Sequence, residues 1–495
     1  MIIKTKLGDI QGEISESIGL FKGIPYAKSP LKTGVFKRPV SIDKYNGLVD
    51  ATNFKNKAPQ PKVGQISTEN DLLQSLDCLY LNIWAPININ EKKPVVVWIH
   101  GGAFVMGETA TKMYDGHSFA KNGDIVFVSI QYRLGLYGFT DFSYLSDEKN
   151  IFESNVGLFD QVEALHWIRQ NIDFFGGDPN NITLMGESAG ASSILCLMTS
   201  QISQPLFHKA ILQSPTTHCV LSKEQAHFWA KKALEYGGNL SLESIDLDDS
   251  FIDKANLIAK SMMESFTDLT PGSWAFGPVV DGLLITETII QAFNSGHFSN
   301  IPMLIGTNKD EAALFVREKE PWLPSNANHM DLFFKQNSHL PKNEILNNYP
   351  EYPSSKSLKD IGRDFCFSSG VTFISDAHSK FNDTYVYRFD YETKVAQKLG
   401  IGAFHGAEIM YAFSNLDSEL SKLVIYDLED AIRVSDFIHQ SWIRFIKYGN
   451  PNQDAQLWDK YSYKTRNTLC INLEKHQVHD PEHKARTVWK QLFIK

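Results

Sequence analysis

The stretch "NITLMGESAGASSILCLM", residues 181–198, limits what this chain can become more than any other. Ile182 to Met185 read as a short strand and Ala189 to Met198 as a helix, with only the turn "GESAG", Gly186 to Gly190, between them. Directly before it, "NVGLFDQVEALHWIRQNIDFFGG" places Leu158, Val162, Leu165, Trp167 and Ile168 at helical spacing and offers Gly176 and Gly177 as the stop. Strands alternating with helices imply right-handed parallel crossovers, and hence an α/β sheet with helices on both faces.

Other segments agree. "YLNIWAP", "PVVVWIH" and "IVFVSIQYR" read as strands, the last two nearly continuous apolar runs of the kind that central, doubly covered strands show. "AILQS", "IPMLIGTN" and "TYVYRFDY" supply more. The aromatic-rich segments between about 225 and 400 read as helices that cover the C-terminal edge of the sheet. No repeat, low-complexity tract or Pro/Gly/Ser-rich linker divides the chain, so one domain over residues 1–495 is the expectation.

The formal charge of -9 disfavours nucleic acid or anionic lipid as an obligatory partner, since both are bound through clustered Lys and Arg. The N-terminus "MIIKTKLGDIQGE" carries charges where a secretory signal needs about 7–15 continuous apolar residues, which predicts a cytoplasmic chain. Apolar runs fall far short of the ~20 residues of a membrane helix, so no span is expected. Cys78, Cys196, Cys219, Cys366 and Cys470 are scattered without a CxxC pair and read as reduced packing residues.

A serine on a sharp strand-to-helix turn has its hydroxyl thrust above the sheet, and glycines flank it because side chains there would collide with neighbouring elements. Ser188 in "GESAG" is therefore the candidate nucleophile. A hydroxyl needs a base to take its proton and a buried acid to orient that base. In this architecture the chain order is serine, acid, histidine. His405, in the glycine-flanked loop of "GIGAFHGAEIMYAF" after a strand, is the candidate base. The acid belongs just past a strand end, where "IPMLIGTNKDEAALF" offers both Asp310 and Glu311, and spacing does not choose between them. The two adjacent glycines of "WIHGGAF" suit backbone amides aimed at an oxygen; the loop lacks the lysine and hydroxyl of a nucleotide cradle.

Taken in order, "FKGIPYA", "DCLYLNIWAP", "WIHGGAF", "GLFDQVEALHWIRQNIDFFGGDPNNITLMGESAG", "FGPVVDG", "IGTNKDEA", "FHGAEI" and "SWIRFIKYGNPN" resemble the type B carboxylesterase and cholinesterase family of α/β hydrolases, in character the bacterial para-nitrobenzyl-esterase-like members. The resemblance implies an α/β-hydrolase fold and a serine carboxylesterase acting through an acyl-enzyme on Ser188. It makes Glu311 the acid and Asp310 a structural neighbour. It assigns the oxyanion hole to the amides of Gly102, Ala103 and Ala189, with His100 and Gly101 shaping the loop. Trp274, Phe276, Leu314 and Phe315 fall near the substrate pocket, where plain core packing competes with substrate contact. The implied partners are a small ester and water, with no cofactor or metal and a monomer or homodimer as the state. Lipases, hydrolases of specialised esters or lactones, and non-catalytic interaction modules share the fold, and the intact Ser188, Glu311 and His405 argue against the last.

Departures from the family pattern sharpen this reading. Where the family carries a buried arginine–glutamate pair, this chain has Val35 and Leu76. Removing one partner alone would strand a charge at about 3–5 kcal/mol, whereas replacing both is neutral or better, so the two are expected to pack together. Cys78 matches a disulfide cysteine of secreted relatives, but no cysteine precedes it to close that loop. "KNKAPQPKVGQISTENDLLQSLDCL" lacks the tryptophan with which cholinesterases hold a quaternary ammonium, which argues against choline esters. The tail "KHQVHDPEHK" has His476, His479 and His483 among acids, and a solvated loop is expected there rather than a metal cluster.

Overall fold

The structure is a computed structural model that describes residues 1–62, 72–88, 90–242, 248–452 and 457–494. Its main sheet is built, in chain order, from β1 (Glu13–Ser15), β2 (Ile18–Pro25), β3 (Tyr80–Pro86), β4 (Lys93–Ile99), β5 (Val126–Ile130), β6 (Gly177–Glu187), β7 (Lys209–Gln213), β8 (Met303–Asn308), β9 (Thr384–Phe389), β10 (Asn467–Ile471) and β11 (His476–His479). The spatial order is β1-β2-β3-β5-β4-β6-β7-β8-β9-β10-β11. From β5 through β10 every neighbouring pair is parallel; antiparallel strands extend both edges.

Continuous apolar runs occur in the middle because both faces are covered. Val95, Val97 and Ile99 of β4 share a cluster with Leu158, Leu165 and Ile168 of helix α1 (Val156–Asn171) and with Ile194 and Leu197 of α2 (Ala189–Thr199). Val96 and Trp98, pointing the other way, pack with Ile438 and Trp442 of the long helix near the C-terminus, Leu428–Tyr448. All five residues that marked α1 in the sequence are buried. The helix ends at Asn171 and a 3-10 turn, Ile172–Phe175, carries the chain to Gly176 at φ 82°, while Gly177 already opens β6.

Val35 and Leu76 are both buried in one apolar cluster. A different ion pair lies beside them. Arg133 Nη2 and Asp160 Oδ1 are 2.5 Å apart and fully buried, and Arg133 Nη1 donates to the carbonyls of Val35 (3.0 Å) and Lys37 (2.8 Å). The guanidinium is thus satisfied by one carboxylate and by backbone, and a second acid at position 76 is not required. All five cysteines are buried free thiols, and burial pushes the Cys78 thiol up. Of the aromatic-free stretch after Phe54, residues 63–71 lie outside the described residues. No helix among the described residues is long and apolar enough to cross a membrane.

Candidate active site

In the parallel register Ile99 pairs with Gly186, Glu187 with Gln213, and Gly306 both with Gln213 and with Tyr387. The C-terminal ends of β4, β6, β7 and β8 therefore meet at one edge; the glycine loop, Ser188 and Glu311 lie on turns leaving that edge, and His405 lies on the segment after β9.

Ser188 sits between β6 and α2 with φ 55° and ψ -121°, a conformation that side chains other than glycine rarely adopt. Its amide donates to Gln213 O (2.8 Å), and Ser192 Oγ donates to Ser188 O (3.0 Å). The flanking glycines are demanded by space. A Cβ on Gly190 would stand 2.0 Å from the Ile99 carbonyl oxygen, and one on Gly186 would stand 2.8 Å from the Gly190 carbonyl carbon.

The loop after β4 lies directly against this turn. A Cβ on Gly101 would meet Glu187 Oε2 at 2.5 Å and Ser188 Cβ at 3.1 Å. Gly102, Ala103 and Phe104 follow with φ of 110°, 53° and 62°, so three consecutive residues hold left-handed backbone. Among the described residues, the amides of Gly102, Ala103 and Ala189 donate to no protein acceptor. His100 braces the loop: its ring stacks on Tyr132 at 4.5 Å, its Nδ1 is 2.9 Å from Gly101 O, and burial pulls it down to about 4, which keeps it neutral.

Glu311 and His405 come together from loops 94 residues apart, with His405 Nδ1 donating to Glu311 Oε2 over 2.5 Å. The other carboxylate oxygen, Oε1, accepts from the Asn308 amide (2.7 Å), and Glu311 is fully buried. Asp310 fastens the two loops: its amide donates to Ala403 O and its Oδ2 accepts from the Ala403 amide, both at 3.0 Å.

Two acids that the sequence reading did not single out complete the surroundings. Glu187 Oε1 lies 3.0 Å from His405 Nε2, in contact though not aligned as a hydrogen bond. Glu408 is buried, accepting from Gln213 Nε2 (3.1 Å) and Asn308 Nδ2 (2.5 Å). Burial disfavours the charged form of His405, but the carboxylates of Glu187 and Glu311 outweigh it and push the imidazole up to about 9. Burial also pushes Glu187 up to about 8, against the pull of His405. The pair holds more protons at neutral pH than an isolated histidine and glutamate would. Glu187 was within reach of sequence reasoning, since it immediately precedes the candidate nucleophile.

Of the pocket candidates, Phe315 meets the His405 ring at 5.0 Å, and Trp274 stacks on Phe266 at 5.7 Å. Both are half-buried, as is Leu314, which packs on the cluster around the long C-terminal helix. Phe276 is fully enclosed in the main apolar cluster. Phe367, absent from the sequence reading, also touches His405 at 5.0 Å and stacks against Phe315 at 6.2 Å. In the tail, His476 and His479 lie on β11 and His483 opens a short helix, 3.1 Å from Asp480, so the segment is an edge strand and a helix rather than a loop. Among the described residues no metal-binding group of three or more His, Cys, Asp or Glu gathers.

The carboxylesterase family model matches residues 1–489. The para-nitrobenzyl esterase of Bacillus subtilis (strain 168) is 33% identical over 494 residues, covering 98% of this chain and 97% of that protein. Among solved structures, a thermophilic para-nitrobenzyl esterase superposes with a TM-score of 0.87 at 31% identity, and a carboxylesterase of Geobacillus stearothermophilus with 0.84 at 32%, each covering 99% of both chains. A strand-edge serine turn, a bonded acid–histidine pair and full-length similarity lead to one conclusion: this chain belongs to the carboxylesterase family, as an α/β hydrolase related to the bacterial para-nitrobenzyl-esterase-like enzymes.

Proposed function

We propose that the protein, folded as one domain, hydrolyses small, uncharged, fairly apolar carboxylic esters, with Ser188 as nucleophile, His405 as general base and acid, and Glu311 as the group that orients and charge-balances the imidazole. The observation that carries this is the His405–Glu311 bond at the strand edge that also bears Ser188. Ser188 attacks the ester carbonyl while His405 takes its proton, then returns it to the departing alcohol; water repeats the cycle on the acyl-enzyme. The unengaged amides of Gly102, Ala103 and Ala189 receive the negative oxygen of each tetrahedral intermediate. No step calls for a cofactor or metal. Para-nitrobenzyl esters, which give the Bacillus relative its name, fall within the proposed class.

The Phe315 ring against His405 narrows the space at this centre, and with Trp274 and Leu314 read as further walls of the pocket it favours a small acyl group. A series of p-nitrophenyl esters from acetate to palmitate is expected to give the highest kcat/KM among the short acyl chains. A maximum at C8 or beyond would overturn the size preference and favour a lipase.

His405 must lose its proton before it can act as base, and Glu187 beside Nε2 opposes that loss. The acid limb of the kcat/KM profile is expected above the ordinary histidine value of 6.5. Glu187→Gln removes the negative charge while keeping the shape, so the limb should move to lower pH. An unchanged limb would separate Glu187 from the titration of the base.

A further inference from the structure

The loop after Glu311 does something its sequence, "FVREKEPWLP", does not announce. It leaves the site at Phe315, runs out through the exposed residues 317–320, and returns so that the amide of Trp322 donates to the carbonyl of the same Phe315 (2.9 Å). The return is fixed from outside as well: Thr267 Oγ1, on the helix Ile252–Leu269, donates to Pro321 O over 2.6 Å. The result lays Trp322 flat on Phe315, with ring planes 4° apart and centroids 5.8 Å apart, while its other neighbour Trp274 meets it edge-on at 6.3 Å.

These rings form a continuous series. Phe266 stacks on Trp274, Trp274 abuts Trp322, Trp322 lies on Phe315, and Phe315 touches the His405 imidazole, which Phe367, itself stacked against Phe315 at 6.2 Å, also contacts. The inner members Phe266 and Phe367 are buried, whereas Trp274, Phe315 and Trp322 are each only partly covered. Trp274 packs against two separate apolar clusters, and Trp322 and Phe315 each border one of them, so the series follows a seam rather than the centre of a core. A partly covered seam of aromatic rings that leads to the His405 imidazole suits a flat, apolar, polarisable group.

On the reading that Ser188 and His405 carry out ester hydrolysis, we propose that Trp322 is a specificity-determining residue, and that its ring, with Phe315 and Trp274, selects esters bearing an aromatic ring over saturated esters of the same size. The ring belongs either to the acyl half or to the alcohol half of the ester, and the two are separable with matched pairs. Phenyl acetate against cyclohexyl acetate places it in the alcohol; methyl benzoate against methyl cyclohexanecarboxylate places it in the acyl group.

With the full-length protein, Trp322→Ala is expected to lower the aromatic-to-saturated ratio of kcat/KM about tenfold in one of the two pairs, near the upper end of what aromatic contacts add beyond buried area. Trp322→Phe should restore most of it. Thr267→Val keeps the ring but releases the loop, and should lower the same ratio by a smaller factor; it serves as the deciding variant if Trp322→Ala does not fold. If both pairs keep their wild-type ratios in the variants while the esters are still hydrolysed, Trp322 is a packing residue and the proposal is overturned. If the wild-type protein hydrolyses none of the four esters, the esterase reading itself falls, and this proposal with it.

Discussion

Alanine at position 188 is expected to lower kcat by about 10^6-fold without loosening the fold. The bonds that seat Ser188 all involve its backbone: the amide to Gln213, and the carbonyl that receives both the amide and the hydroxyl of Ser192. None is lost in the variant. Nor does alanine add strain at φ 55°, since serine already carries a Cβ there and Ala103 holds φ 53° in the loop that abuts this turn. The measurement is a burst of p-nitrophenol from p-nitrophenyl acetate, which should vanish in Ser188→Ala, together with an unchanged Tm. Turnover above about 1% of wild type would place the nucleophile elsewhere.

Glu311→Gln is the second large effect, expected at about 10^4-fold in kcat. One carboxylate oxygen is committed to the Asn308 amide and the other to His405 Nδ1. Glutamine has one oxygen and one NH2, and the Asn308 amide, a donor, retains the oxygen. The NH2 then faces Nδ1, which must become an acceptor, so the ring proton moves to Nε2 and the imidazole no longer takes a proton from serine. Glu311→Asp keeps both acceptors but shortens the reach, so it should recover part of the rate. An equal loss in Glu311→Asp would show that reach matters as much as tautomer control. ¹⁵N chemical shifts of the His405 ring read the tautomer directly.

Much of the fold was visible in the chain because local pattern and tertiary demand agree. The runs around Val95 to Ile99 and Val126 to Ile130 are apolar on both sides, as strands covered by helices on both faces must be. "GESAG" carried Ser188 because the spatial demand on Gly186 and Gly190 is itself local. The acid was different. Asp310 and Glu311 are neighbours in one turn with opposite assignments, one binding the backbone of Ala403 and the other the imidazole, and only family resemblance favoured Glu311. Glu408 and Phe367 had no local mark at all, since their places beside Gln213 and His405 depend on strands and helices far away in sequence. Trp322 was hidden for a related reason: its stacking depends on a loop return fastened by Thr267 on another element. The Val35 and Leu76 positions showed the loss of one charge pair but not that Arg133 would take up the carbonyl of Val35.

The order of strand ends at the site has a consequence for how the protein is made. Ile99, Gly186, Gln213 and Gly306 succeed one another across the sheet, yet they are drawn from more than two hundred residues of chain, and His405 arrives later still. Contacts so distant in sequence close slowly during folding. A nascent or partly refolded chain that has built its first strands has the glycine loop and the serine turn, but no imidazole to serve them. Recovery of activity during refolding should therefore trail the return of helical signal, and a trace of turnover becomes a gauge of how many molecules have completed the whole sheet.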